Sequence, residues 1–159
     1  MSDPATNTQS ALTPAQIEAM MSNDPPQVRR VIAEVSRPQL AAFLRTDQGQ
    51  SALEQALIGM PDVYIPGKVD TEMSIRWSIQ RKPADVIAMD VIVAPQRCEV
   101  QPVSDARIPT VTVTLDATSF VELASGAKRG KDLLLHGVLR LKGSVRLALK
   151  MEKLFALGD

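Results

Sequence analysis

The chain has 159 residues, 45% of them apolar, which suits one domain plus an extension and falls short of two full domains. Eighteen Lys and Arg balance eighteen Asp and Glu, so no net field draws the protein to nucleic acid. Aromatics make up only 3%, too few for the stacking platforms of single-strand binders. One Cys and one His exclude an intramolecular disulfide and a multi-cysteine metal site. The balance of charge hides a gradient: residues 1–66 carry net −3, residues 67–159 net +3, and the stretch from Ala127 onward net +5. No apolar run approaches the roughly 20 residues of a membrane span, and the N-terminus has no secretory pattern. The expected address is the cytoplasm.

Residues 1–10 are polar without periodicity and read as a frayed tail. Thr13-Pro14-Ala15-Gln16 has the form of a capping box with Pro at the first helical position, and Leu12 with Ile17 that of a hydrophobic staple. Asp24-Pro25-Pro26-Gln27 predicts a second helix start, followed by Val28, Val31, Ile32 and Val35 on one stripe. Ser36-Arg37-Pro38-Gln39 predicts a third, with Leu40, Phe43 and Leu44 inward. After a break at Asp47-Gln48-Gly49, Leu53, Ala56, Leu57 and Met60 mark a fourth, and Pro61 and Pro66 end the helical stretch. Residues 11–66 are thus expected to form a small helical extension that packs on the remainder of the chain.

From Lys68 the period changes to two. Met73, Ile75, Trp77 and Ile79 alternate with polar residues, as do Ile87, Met89, Val91 and Val93, with a hairpin turn at 80–83 between them. A short strand from Arg97 to Val103 and another through Val111, Val113 and Leu115 come next. Asp116 predicts the cap of a helix carrying Phe120, Leu123 and Ala124, which Gly126 stops. Asp132 is expected to cap one turn, Leu133 to His136; Gly137 leads into a fifth strand with Leu139 and Leu141 inward. Gly143 breaks that strand and Ser144 caps a last, apolar helix. Strands run together and then helices, which means an α+β fold: a five-stranded, mostly antiparallel sheet with helices on one face.

Trp77 in the first strand, Thr112-Val113-Thr114-Leu115-Asp116 running into Phe120-Val121-Glu122-Leu123-Ala124-Ser125-Gly126, and then Leu134-Leu135-His136-Gly137-Val138-Leu139-Arg140-Leu141-Lys142-Gly143 and Leu147-Ala148-Leu149-Lys150 stand in a particular order. In that order residues 67–159 resemble the sterol carrier protein 2 family of lipid-binding domains. Residues 11–66 resemble, more loosely, the N-terminal extensions of bacterial stand-alone members. The resemblance implies an apolar tunnel for a sterol, fatty acyl chain or other lipid. It implies a carrier with no cofactor and no catalytic role. The sequence departs from the family at Ala94-Pro95-Gln96-Arg97, where a glycine turn is usual, and ends Leu157-Gly158-Asp159 without the peroxisomal address of eukaryotic members.

On that resemblance the tunnel is lined by Trp77, Ile79, Met89, Phe120, Leu123, Leu135, Leu139, Ala148, Leu149 and Phe155. Periodicity alone allows these residues to fill a solid core instead. Lys128, Arg129 and Lys131 sit in a glycine-flanked turn, where they either dock on anionic headgroups or stand as solvated charges. Gly126 to Asp132 imitates a phosphate loop, but it is one residue short, follows a helix, and ends in Asp where magnesium needs Ser or Thr. Asp90 lies in an apolar strand on the face opposite Met89 and Val91, as a raised-pKa acid or, on the favoured reading, as the partner of Arg76 or Arg97. Nothing in the spacing brings Cys98 to His136. No catalytic constellation, metal set or nucleic-acid surface is expected. Two rivals to a free carrier remain: a module presenting an apolar substrate to a partner enzyme, and a solid-core homodimer mated through Met20, Met21 and the 28–35 stripe.

Overall fold

The computed structural model describes residues 11–82 and 85–155; residues 1–10, 83–84 and 156–159 lie outside the described residues. Four helices come first: α1 (Pro14–Met21), α2 (Pro25–Glu34), α3 (Arg37–Leu44) and α4 (Asp47–Ile58), then a 3-10 turn, Met60–Val63. Capping boxes form at Thr13/Gln16 and Ser36/Gln39, so local chemistry starts α1 and α3 where the spacing predicts. Asp24 holds the cap position of α2 but makes no side-chain cap bond.

Gly49 does not break the chain. Helix α4 begins at Asp47 under the side chain of Thr46 and runs through the glycine. A Cβ at residue 49 would lie 2.2 Å from the Phe43 carbonyl oxygen, so the glycine lets α3 and α4 meet at a sharp corner. The Arg81 guanidinium reaches that corner from the sheet, donating to the carbonyls of Leu44 (3.2 Å) and Thr46 (3.1 Å) and pairing with Asp85.

The strands β1 (Met73–Lys82), β2 (Asp85–Ala94), β3 (Arg97–Pro102), β4 (Val111–Asp116) and β5 (Arg140–Gly143) form one mixed sheet in the order β3-β2-β1-β4-β5. Only β1 and β4 pair in parallel, and the other pairings are antiparallel. Between β4 and β5 lie α5 (Ala117–Ala124) and α6 (Gly130–Leu135); α7 (Val145–Leu154) closes the chain. Among the described residues, seven α-helices and five strands make an α+β fold. Asp116 caps α5 and Ser144 caps α7 as expected, whereas α6 begins at Gly130 without a side-chain cap and Asp132 lies in its first turn.

Register places Ile75, Trp77 and Ile79 beside Val91, Met89 and Ile87 on one side and Val111, Val113 and Leu115 on the other. This face carries the apolar core. Helix α5 lies across it and is in turn covered by α2, α3 and α4, so every residue from Ala117 to Leu123 is buried. The connection after the 3-10 turn reaches the end of α7: Ile65 donates to the Leu154 carbonyl at 2.7 Å, and the Tyr64 and Phe155 rings meet at 5.7 Å.

Candidate functional site

The core is not filled. Among the sheet, α5, α7 and the end of α4 lies a cavity of about 170 Å³. Trp77 from β1 and Phe120 from α5 meet edge to face with centroids 5.4 Å apart, both lining it. Leu139 and Leu141 contribute from the sheet edge, and Ala148, Met151 and Phe155 from α7 and its end. Trp77 is 3% exposed, and its Nε1 has no hydrogen-bond partner among the described residues.

Of the ten residues assigned to a tunnel from sequence, Trp77, Phe120, Leu123, Leu139, Ala148, Leu149 and Phe155 line this cavity. The other three do not. Ile79 is fully buried in solid core between Ile87 and Leu115. Met89 shares the face of Trp77 as its register partner but stands one strand away, half-buried against the core. Leu135 is 81% exposed, because the single turn of α6 directs Leu133 into the core and Leu134 toward the cavity, leaving Leu135 outward.

Sequence reasoning missed the contribution of the helical extension. Ala56, Gly59, Met60 and Val63 form part of the wall, with Asn23 and Pro25 from the α1–α2 turn. No sequence signal marks them, since their role exists only once α4 is laid against α5.

Lys131 is the one charged side chain in the lining among the described residues. It is exposed, as is Leu149 at 60%, so the two mark the rim where the cavity meets solvent. The predicted basic cluster is divided by its partners. Lys128 turns to Glu122 at 3.2 Å, while Arg129 is exposed. Glu122 is almost fully buried and also pairs with Arg37, so one α5 carboxylate ties the extension to the loop before α6.

The opposite face of the sheet holds Asp90, which has no solvent exposure. Arg76, its register partner, donates from Nε at 2.8 Å and Nη2 at 3.1 Å, and Arg107 donates from Nη1 at 2.6 Å. Arg97, the other expected partner, pairs with Glu72 instead. Burial pushes the Asp90 carboxyl up, but the hydrogen bonds and charges of Arg76 and Arg107 outweigh it and hold the group below the usual aspartate value. Asp90 is therefore an ionised anchor: Arg76 also donates to the carbonyls of Ser104 and Arg107, pinning the 103–110 connection over this face.

Cys98 is half-buried, and burial, then Glu99, pushes its thiol up to about 11, away from nucleophile chemistry. It lies on β3, whereas His136 immediately precedes the segment leading to β5, the opposite sheet edge. Four strand spacings separate those edges, about 19 Å. The described residues thus offer an apolar hollow with a cationic rim, and Cys98 and His136 form no pair. No helix among them is long and apolar enough to cross a membrane.

Solved structures are similar to this chain at low identity. Sterol carrier protein 2 from Yarrowia lipolytica, in its apo form, is 13% identical over 87% of this chain and 84% of that chain, with a TM-score of 0.43. Sterol Carrier Protein 2 Like 2 from Aedes aegypti is 22% identical over 67% of this chain and 95% of that one, at 0.46. A double mutant of the sec-alkyl sulfatase PisA1 is 14% identical over 77% of this chain but 17% of that one, at 0.51, so the fold recurs there as a small part of a larger enzyme. No curated protein matches the chain. Residues 71–156 match the SCP-2 sterol transfer family, a span that runs from the first strand through α7 and holds most of the cavity wall. With more than half its length in that match, the chain belongs to the SCP-2 sterol transfer family.

Proposed function

We propose that this protein is a non-catalytic cytoplasmic carrier that holds a single amphiphilic lipid reversibly, its hydrocarbon part in the cavity and its polar end at the rim. The observation that carries this reading is the lining itself: among the described residues it is mainly hydrocarbon, with Asn23 at the α1–α2 turn and an exposed Lys131 as its one charged side chain. Apolar area removed from water supplies the affinity, at roughly 25 cal/mol per Å². The cation at the rim favours a fatty acid or another lipid with an anionic head.

The cavity is close to the roughly 150 Å³ that holds a benzene ring, and smaller than the roughly 300–1,000 Å³ of most small-molecule sites. Cargo must therefore widen it. The wall of α6 and α7 is suited to move: α6 is one short helix between Gly126 (φ 81°) and Gly137 (φ 73°), without a side-chain cap. On this reading residues 67–159 are the ligand-binding domain and residues 11–66 a packing partner that completes its wall.

Trp77 is the only tryptophan and lines the cavity, so its emission reports occupancy directly. Titrating delipidated protein with palmitate and with cholesterol, beside native mass spectrometry, tests the reading. A saturable emission change with a one-to-one adduct is expected. No emission change and no adduct with either lipid overturns it and directs attention to a partner enzyme or to self-association.

A second reading concerns delivery. Arg129, Lys131 and Leu135 stand exposed at and along α6, and Leu149 stands exposed on α7, a mixture of cations and hydrocarbon suited to an anionic bilayer. Changing Lys128, Arg129 and Lys131 to Glu should slow transfer to anionic vesicles at low salt. Equal transfer rates would remove docking while leaving the carrier intact.

A further inference from the structure

A second, smaller space of about 40 Å³ lies beside the main cavity, beneath the α1–α2 turn. Asn23, Pro25, Ala56 and Ala124 line both. Its remaining wall includes Met20, Val28, Ala52 and Val121. The two spaces share part of their lining, and the lining of both is mainly hydrocarbon. Of the residues that line both, Ala56 of α4 and Ala124 of α5 contribute only a methyl each. The polar groups of the smaller lining are occupied elsewhere: the Asn23 amide donates to the Gln55 carbonyl at 3.3 Å, and the Ser125 hydroxyl to the Glu122 carbonyl at 3.2 Å. What the small space offers a guest is hydrocarbon surface.

We infer that this space is the distal end of the ligand site, and that Ala56 and Ala124 form a neck which passes an unbranched acyl chain and stops a fused ring system. The inference rests on the carrier reading above and deepens it to a ligand class: a linear fatty acid or acyl lipid with its head near Lys131 and its terminal methyl under α1 and α2. A chain one methylene wide needs only a small shift of two alanines, whereas a fused ring needs α4 and α5 to separate. The helical extension then measures chain length.

The test is the palmitate-to-decanoate affinity ratio, read from Trp77 emission on the full chain. With the head at Lys131, decanoate is expected to end in the widened main cavity and palmitate to reach beyond it. Wild type should favour palmitate. Val28→Trp, which fills the distal space from a half-exposed position, and Ala56→Val, which narrows the neck, should each lower the ratio about tenfold, equivalent to losing burial of about two methylenes. Equal affinity of wild type for the two acids overturns the inference without needing any variant. A ratio unchanged in the folded variants overturns it too, and palmitate binding then leaves the carrier reading standing. Failure of wild type to bind either acid overturns both.

Discussion

Ile75, Trp77 and Ile79 alternate along one strand with Ser74, Arg76 and Ser78, and both faces of that strand end up covered. On the helix side the cover is apolar and leaves a cavity. On the far side it is a loop held down by a buried carboxylate and two guanidiniums. An apolar void forfeits dispersion contacts, a loss spread over many atoms. A polar cover has no such latitude, because each unpaired group in low dielectric costs heavily. The helix face is thus the adaptable one, and the Asp90 face is its rigid support.

The strongest way to break that contrast is Asp90→Ala. It leaves Arg76 and Arg107 largely buried without their partner, and stability should fall by about 3 kcal/mol in urea unfolding. Ligand affinity should change by less than about twofold, since the site lies on the other face; a parallel fall would mean the two faces are coupled. Ala148→Trp is the mirror experiment. It should lower lipid affinity about 100-fold by filling the hollow, with unfolding shifted by less than about 1 kcal/mol. Unchanged affinity would place the ligand elsewhere.

Glu122→Gln sharpens the comparison from inside α5. It weakens the ties to Arg37 and Lys128 and should cost about 1–2 kcal/mol. The smallest effect is in pH. With its folded value lowered, Asp90 contributes stability that is complete above an unfolded aspartate's value of about 4 and is lost as pH falls through the lower folded value. Unfolding midpoints measured between neutral and acid pH should show that loss in wild type and lack it in Asp90→Asn.

The elements were legible wherever the signal was local. Thr13/Gln16, Ser36/Gln39, Asp116 and Ser144 start helices through bonds spanning three residues, and alternation along 73–79 and 111–115 names the core face of each strand. Asp90 with Arg76 was legible for the same reason, since both lie on the outer parity of adjacent strands. Arg107 was not, because it arrives from a loop. Gly49 read as a break because its purpose, contact with the Phe43 carbonyl, depends on how α3 meets α4. Leu135 read as lining because in one turn of helix a single residue of phase decides between cavity and solvent.

The sequence by itself determined the order of the elements and the two faces of the sheet, because periodicity and capping act over a few neighbours. It also carried the family resemblance that the match over residues 71–156 supports. Only the tertiary structure decided that α5 is buried all round and that Ala56, Gly59 and Met60 belong to the cavity wall. It alone brought Lys128 to Glu122 and left Lys131 at the rim. Those features depend on where the extension packs against α5, and that placement is set by contacts between residues far apart in the chain, which no local pattern records.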